Sequence, residues 1–187
     1  MCEGLIATLS DNDQLQIRQV SGGTLIVNQT VPPIADCEHL YLRRSQDRIL
    51  VLTYAPDPVT EPVIVSGAVP VNGPIYAIDA RDGSVAWTEN ASGEYLRILN
   101  GGGSPVLPSA PLLILLSRKP RQTPGRFGAD YATRIVDVSN GNVLYEDNNV
   151  GESLSYHALR FDDDGRFTVN FGQRAIEFDF LNGEPAP

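Results

Sequence analysis

Short runs of alternating apolar and polar residues follow one another along the chain, and turn residues separate them. Runs such as Ile75–Asp79 and Arg134–Val138 are dense in β-branched and aromatic residues, which favour strands. No segment shows convincingly the apolar spacing of about 3.6 residues that marks an amphipathic helix. The pattern therefore predicts an all-β protein built from antiparallel strands.

One phrase recurs along the chain. In each copy an apolar run ends in Asp, a turn closes on Gly, and more sequence of strand type follows. The copies are Ile75–Thr88 with Asp79 and Gly83, Thr133–Glu146 with Asp137 and Gly141, and Ala175–Pro187 with Asp179 and Gly183. A weaker copy at Leu15–Asn28 keeps Gly23 but has Gln19 in place of Asp. Self-similarity at a period of about 40 to 50 residues is typical of propellers and other repeat arrays.

The turns of this phrase predict β-hairpins. Asp82-Gly83 and Asn140-Gly141 are strong hairpin signals, because glycine adopts the positive φ of a tight turn at little steric cost. We expect the recurring aspartates to accept hydrogen bonds from backbone N–H groups of their own turns. Trp87 and Tyr145 lie four residues beyond the glycines, and we expect their rings to fill the space between adjacent sheets.

Ile75–Trp87 resembles the repeat of the PQQ-like, or quinoprotein-like, β-propellers: aliphatic, Tyr, Ala, aliphatic, Asp, then Gly and Trp at fixed spacing. The second copy matches with Tyr145 in place of Trp. The whole chain resembles the C-terminal portion of large, mostly uncharacterised bacterial PQQ-like repeat proteins. We therefore expect one domain over residues 1–187, a partial propeller of about three and a half to four blades of four antiparallel strands. The expected blades are 1–31, 38–90, 94–149 and 154–187, with three strands in the first and last.

Composition narrows the classes of partner. The formal net charge of -9 and the pI near 4.6 argue against a nucleic-acid surface, which would be basic. No apolar run approaches the roughly 18 residues of a membrane helix. The residues after Met1 do not read as a signal peptide. The family resemblance suggests the periplasm or cell envelope, and the sequence does not decide the compartment.

Few residues suggest chemistry. His39 and His157 are the only histidines and lack spaced metal-ligand partners. Cys2 and Cys37 could pair only if the fold brought them together, and free thiols are the favoured interpretation. PQQ enzymes use adjacent cysteines, a stacking tryptophan and a calcium-binding carboxylate. This chain lacks adjacent cysteines and has Trp87 at a repeat position, so we expect no catalytic, cofactor-binding or metal residues.

These observations predict a non-catalytic PQQ-like scaffold or protein-interaction module, the C-terminal part of a larger protein. Its partner would be another protein, the remainder of a longer polypeptide, or a second copy. We expect the end sheets of such an open arc to expose apolar faces. The alternative is part of a quinoprotein dehydrogenase-type enzyme whose cofactor residues lie outside this chain.

Overall fold

A computed structural model describes residues 4–45, 47–56, 68–97, 112–120, 129–150, 156–161, 166–171, 174–179 and 184–185. All regular elements in these ranges are β-strands, as the alternating pattern predicts, and no helix there could cross a membrane. The strands are β1 (Leu5–Leu9), β2 (Gln14–Gln19), β3 (Leu25–Thr30), β4 (His39–Ser45), β5 (Arg48–Tyr54), β6 (Ala68–Asp79), β7 (Val85–Arg97), β8 (Leu112–Pro120), β9 (Ala129–Asp137), β10 (Val143–Val150), β11 (Tyr156–Phe161), β12 (Arg166–Phe171), β13 (Arg174–Asp179) and β14 (Glu184–Pro185).

The strands form three antiparallel sheets, each a simple meander. The first sheet has the order β1-β2-β3, the second runs from β4 through β10 as seven neighbouring strands, and the third has the order β11-β12-β13-β14. The short strand β14 gives the last sheet a fourth strand, where the sequence predicts three. These sheets do not close into a ring.

The second sheet joins the segments that the sequence assigns to separate blades at 38–90 and 94–149. Strand β7 runs without interruption through that boundary and pairs with β6 along most of its length. Its last part also pairs with β8, from Glu94 opposite Ser117 to Leu96 opposite Leu115. The two expected blades therefore share one strand.

The second sheet nevertheless folds over on itself. Side chains of β5 and β6, such as Leu50, Leu52 and Ile75, pack in one buried cluster with Leu113 and Val136 of β8 and β9. Two parts of one sheet that bury a common core must face each other. The two parts therefore form two packed layers, with β7 as the fold line.

A second buried cluster lies between the first sheet and the near part of the second. It combines Leu15 and Ile17 of β2 with Ile49, Val51 and Tyr76. Residues of β5 alternate between the two clusters, as the period of two in a strand requires. This strand is consequently buried on both faces.

Polar contacts hold the bend in the β6-β7 hairpin. The register shifts between Val71 and Gly73, and Gly73 has a φ of 133°. A Cβ at Gly73 would lie 2.5 Å from Oγ1 of Thr53, a buried hydroxyl that donates to the Pro74 carbonyl over 2.7 Å. The Asn72 side chain donates to the Ala55 carbonyl over 2.7 Å. Glycine at position 73 is therefore required both by conformation and by space.

Candidate interaction surface

The repeated phrase forms the same turn in three places. In the second unit the Gly83 N–H donates to the Asp79 carbonyl over 2.9 Å, and the Asp79 N–H donates to the Ser84 carbonyl over 2.8 Å. The same two bonds run from Gly141 to Asp137 and from Asp137 to Asn142, and from Gly23 to Gln19 and from Gln19 to Thr24. The weaker copy, with Gln19 in place of Asp, therefore keeps the backbone geometry.

The predicted positive φ of the turn glycines is confirmed, with 75° at Gly83 and 80° at Gly141. The carboxylates of these turns bond the backbone two residues ahead. Asp79 Oδ1 accepts from the Arg81 N–H over 2.9 Å, and Asp137 Oδ1 accepts from the Ser139 N–H over 2.7 Å. Each of these two aspartates therefore stabilises its own hairpin.

The carboxyl of Asp79 has a pKa well below its ordinary value. Hydrogen bonds from the Arg81 side chain and backbone, together with one from Arg48, lower the pKa of Asp79 to about 2. Arg48 Nη1 lies 2.7 Å from Asp79 Oδ2, and its Nη2 lies 3.5 Å from the Ser139 carbonyl. Arg48 thus links the turns of two successive units.

The turns at Gly83 and Gly141 each pack against the unit before them. A Cβ on Gly83 would lie 2.7 Å from the Ile26 carbonyl oxygen, and Gln29 Nε2 donates to the Gly83 carbonyl over 3.2 Å. A Cβ on Gly141 would lie 2.9 Å from Cγ and Cδ2 of Trp87. These contacts show how one unit is seated on the next.

The indole of Trp87 lies between the two parts of the second sheet, where the sequence predicts it. The ring is half-buried against the first cluster, and Nε1 donates to the Val138 carbonyl over 2.9 Å. Tyr145, at the corresponding position of the next unit, is half-buried on β10. Asp179 ends β13, and Gly183 lies outside the described residues.

Sequence patterns did not reveal the ionic cluster on β7. Arg134 Nη2 lies 2.7 Å from Glu94 Oε2, and its Nη1 lies 2.5 Å from Glu89 Oε2. Burial raises the pKa of Glu94 despite this partner. Arg134 lies 40 and 45 positions from its two acids, so no local pattern marks the cluster. Its glutamates flank the bend of β7, and the arginine holds them together.

Cys37 is a free thiol, and its Sγ contacts the His39 carbonyl oxygen at 3.6 Å. Burial raises the pKa of this thiol. Cys2 lies outside the described residues. His39 stacks on Tyr54 with ring centroids 6.0 Å apart. Within the described ranges, no group of three or more His, Cys, Asp or Glu side chains could hold a metal ion.

The outer face of the first sheet is mostly polar, with Ile6 of β1 exposed among the polar residues, in contrast to the apolar end faces expected from the sequence. Gln14 donates to Thr30 over 2.5 Å, and Gln16 donates to Asn28 over 3.3 Å, so side chains bond across β2 and β3. Arg18 donates to Gln16 over 3.1 Å. The alternation of these polar residues with Leu15 and Ile17 places them opposite the buried cluster.

Strand β1 is one edge of the first sheet, and in the described part of the chain it pairs with β2 alone. The Gly4 carbonyl accepts from the Val20 N–H over 2.8 Å, and the Ser10 N–H donates to the Gln14 carbonyl over 3.1 Å. Backbone groups in an antiparallel strand alternate in direction. The N–H and C=O groups of Leu5, Ala7 and Leu9 therefore point away from β2.

No protein family and no curated protein matches the sequence. Solved structures resemble the fold at low identity. One is "Europium-containing methanol dehydrogenase", with 13% identity and a TM-score of 0.44, covering 97% of this chain and 38% of that chain. Another is "Complex of KlAtg21 with coiled-coil of AgAtg16", with 12% identity and a TM-score of 0.41, covering 98% of this chain and 51% of that chain. A third is "KlHsv2 with loop 6CD replaced by a Gly-Ser linker", with 15% identity and a TM-score of 0.29, covering 99% of this chain and 64% of that chain. The chain thus spans 38% to 64% of the length of these structures.

Proposed function

We propose that the chain is a non-catalytic, propeller-like module that binds protein. The observation that carries this proposal is the repetition of the turn. The polar residues that recur, Asp79 and Asp137 among them, bond their own hairpins in successive units. A catalytic residue is needed once in a site, whereas a residue needed in every unit serves the scaffold.

The side chains with possible chemistry are engaged in holding the sheets. Trp87 would have to stack on a quinone, but its ring lies against the Gly141 turn and its Nε1 bonds the Val138 carbonyl. The thiol of Cys37 has a raised pKa and is therefore a weak nucleophile at neutral pH. The described residues do not fit a quinone site, and this supports a scaffold.

Binding of PQQ and calcium to the purified chain tests the proposal. Titration calorimetry with each, and with both together, should give no heat of binding at micromolar concentrations, while a quinoprotein dehydrogenase serves as the positive control. Saturable micromolar binding of PQQ would overturn the proposal and favour the quinoprotein-type enzyme.

A further inference from the structure

We propose that the free edge of β1 binds an extended peptide segment of another protein, which adds as a fourth strand to the first sheet. This inference rests on the proposed binding function and names its partner: an alternately aliphatic segment, antiparallel to β1, with a basic residue at its N-terminal end.

Three alternate residues of β1 have an N–H and a C=O group directed to this edge. The N–H and C=O groups of Leu5, Ala7 and Leu9 point away from β2, because those of the alternate residues point toward it. Their side chains pack against the second buried cluster. An added strand would satisfy the backbone groups and extend the buried surface in the same step.

The other sheet edges in the described ranges carry features that discourage pairing. Strand β4 has two arginines, β14 has only two residues and includes Pro185, and β3, β10 and β11 have register shifts. Strand β1, with the sequence Leu-Ile-Ala-Thr-Leu, has no charge, no proline and no shift in its register with β2. It is the edge best suited to accept a strand.

The second unit shows what the occupant would resemble. Strand β2 corresponds to β6 by the repeat, so β1 corresponds to β5, and β4 occupies the free side of β5 in an unbroken antiparallel register. No strand of the described chain takes that place beside β1. Strand β4 passes close to β1, and its Leu40 and Leu42 are half-buried on the same cluster as Leu5 and Leu9, so an added strand would lie beside this cluster.

Charge sets the direction of the peptide. The turn that follows β1 carries Asp11, which is exposed, and Asp13, which is half-buried. The N-terminus of an antiparallel strand would lie at this end of β1. A lysine at that end of the peptide would be attracted by the charge of this turn, so we place the basic residue of the proposed segment there.

A labelled peptide of about seven residues, the length of β4, tests the proposal by fluorescence anisotropy. It has valine at three alternate positions, threonine between them and lysine at the N-terminal end. Backbone N-methylation of the central valine, whose N–H would face Ala7, should weaken binding by about tenfold or more. N-methylation of a threonine, whose N–H would face solvent, should leave affinity within about twofold. Moving the lysine to the C-terminal end should weaken binding several-fold at low salt.

Protein variants give the matching control. Ala7→Pro removes an outward N–H without removing a bond to β2 and should abolish binding, whereas Ala7→Val should retain it. If Ala7→Pro fails to fold, the methylated peptides still decide. Equal binding of both methylated peptides would overturn edge pairing. If the unmodified peptide does not bind, this inference is overturned, and a second copy, another segment of this chain or nothing occupies the edge. If PQQ does not bind either, the proposed function still stands.

Discussion

The turns at Gly83 and Gly141 have the same backbone geometry but pack against different groups. The group that each turn glycine contacts is called its seat below. Gly83 lies against the main chain of β3, at the carbonyl of Ile26, whereas Gly141 lies against the indole of Trp87. Val27 and Trp87 occupy the same place in the repeat, four residues beyond the preceding turn glycine. The hairpin therefore keeps its geometry between units, while the group that it contacts changes from a main-chain carbonyl to a side-chain ring. A main-chain seat is fixed by the strand that contains it, and a side-chain seat can be removed by mutation.

Removal of the side-chain seat should have the largest effect. Trp87→Ala leaves a cavity under the Gly141 turn and the Val138 carbonyl without its donor, so we expect a loss of about 3 kcal/mol in the free energy of unfolding. Urea denaturation followed by circular dichroism measures it. Trp87→Phe, which keeps most of the ring, should lose only about 1 kcal/mol. A loss below about 1 kcal/mol for the alanine variant would contradict this role of the indole.

Alanine substitutions at Gly83 and Gly141 should show which of the two seats is more rigid. Both substitutions place a Cβ at positive φ, which costs roughly 1 to 2 kcal/mol. At Gly83 the Cβ also meets the Ile26 carbonyl oxygen at 2.7 Å, which cannot move without disturbing β3. We expect Gly83→Ala to lower the free energy of unfolding by about 1 kcal/mol more than Gly141→Ala. The opposite order in denaturation curves would show that the indole is the more rigid seat.

Combining Trp87→Ala with Gly141→Ala measures how strongly these two positions are coupled. Because Trp87→Ala empties the space into which a Cβ at Gly141 would project, Gly141→Ala should cost about 1 kcal/mol less in that background than in the wild type. Gly83→Ala combined with Trp87→Ala is the matched control, and its effects should add. Additivity in both pairs would mean that the contact between Gly141 and Trp87 is energetically unimportant.

A smaller difference should appear in acid. The folded pKa of Asp79, about 2, lies below the ordinary value of 3.8, so its contribution to stability is present above about pH 4 and is lost as the pH falls toward 2. The stability difference between wild type and Asp79→Asn should therefore shrink over that interval in urea midpoints. Arg81→Gln removes the side-chain hydrogen bond that lowers this pKa most, so the loss should be smaller and should end at a higher pH. A difference that stays constant down to pH 2 would contradict the assignment.

Local chemistry made the turns predictable from the sequence. The Asp82-Gly83 and Asn140-Gly141 pairs carry the backbone requirement within four residues, and the structure has positive φ at both glycines. The polar outer face of the first sheet was also present in the sequence, since Gln14 and Gln16 alternate with Leu15 and Ile17. The expectation of an apolar face came from the arc architecture, and the alternation was the stronger signal.

Long-range features were not predictable in this way. Continuity of β7 depends on pairing with β6 and β8 together, and the sequence between Glu89 and Glu94 contains Ser92-Gly93, which suggests a break. Arg134 meets those glutamates only after the sheet folds over. Contacts between residues 40 or 45 positions apart leave no periodic trace in a single sequence.

The shared strand β7 has a consequence for the independence of the units. In most repeat arrays, neighbours are coupled through packed side chains, and each unit keeps its own backbone hydrogen bonds. Here the coupling between two units also includes a continuous ladder, because β7 pairs with β6 and its last part also pairs with β8. If β7 separated from β6, its pairing with β8 would be disturbed as well. We therefore expect the two central units to unfold as one cooperative block, and a fragment boundary placed between Glu89 and Glu94 would divide a strand rather than a linker.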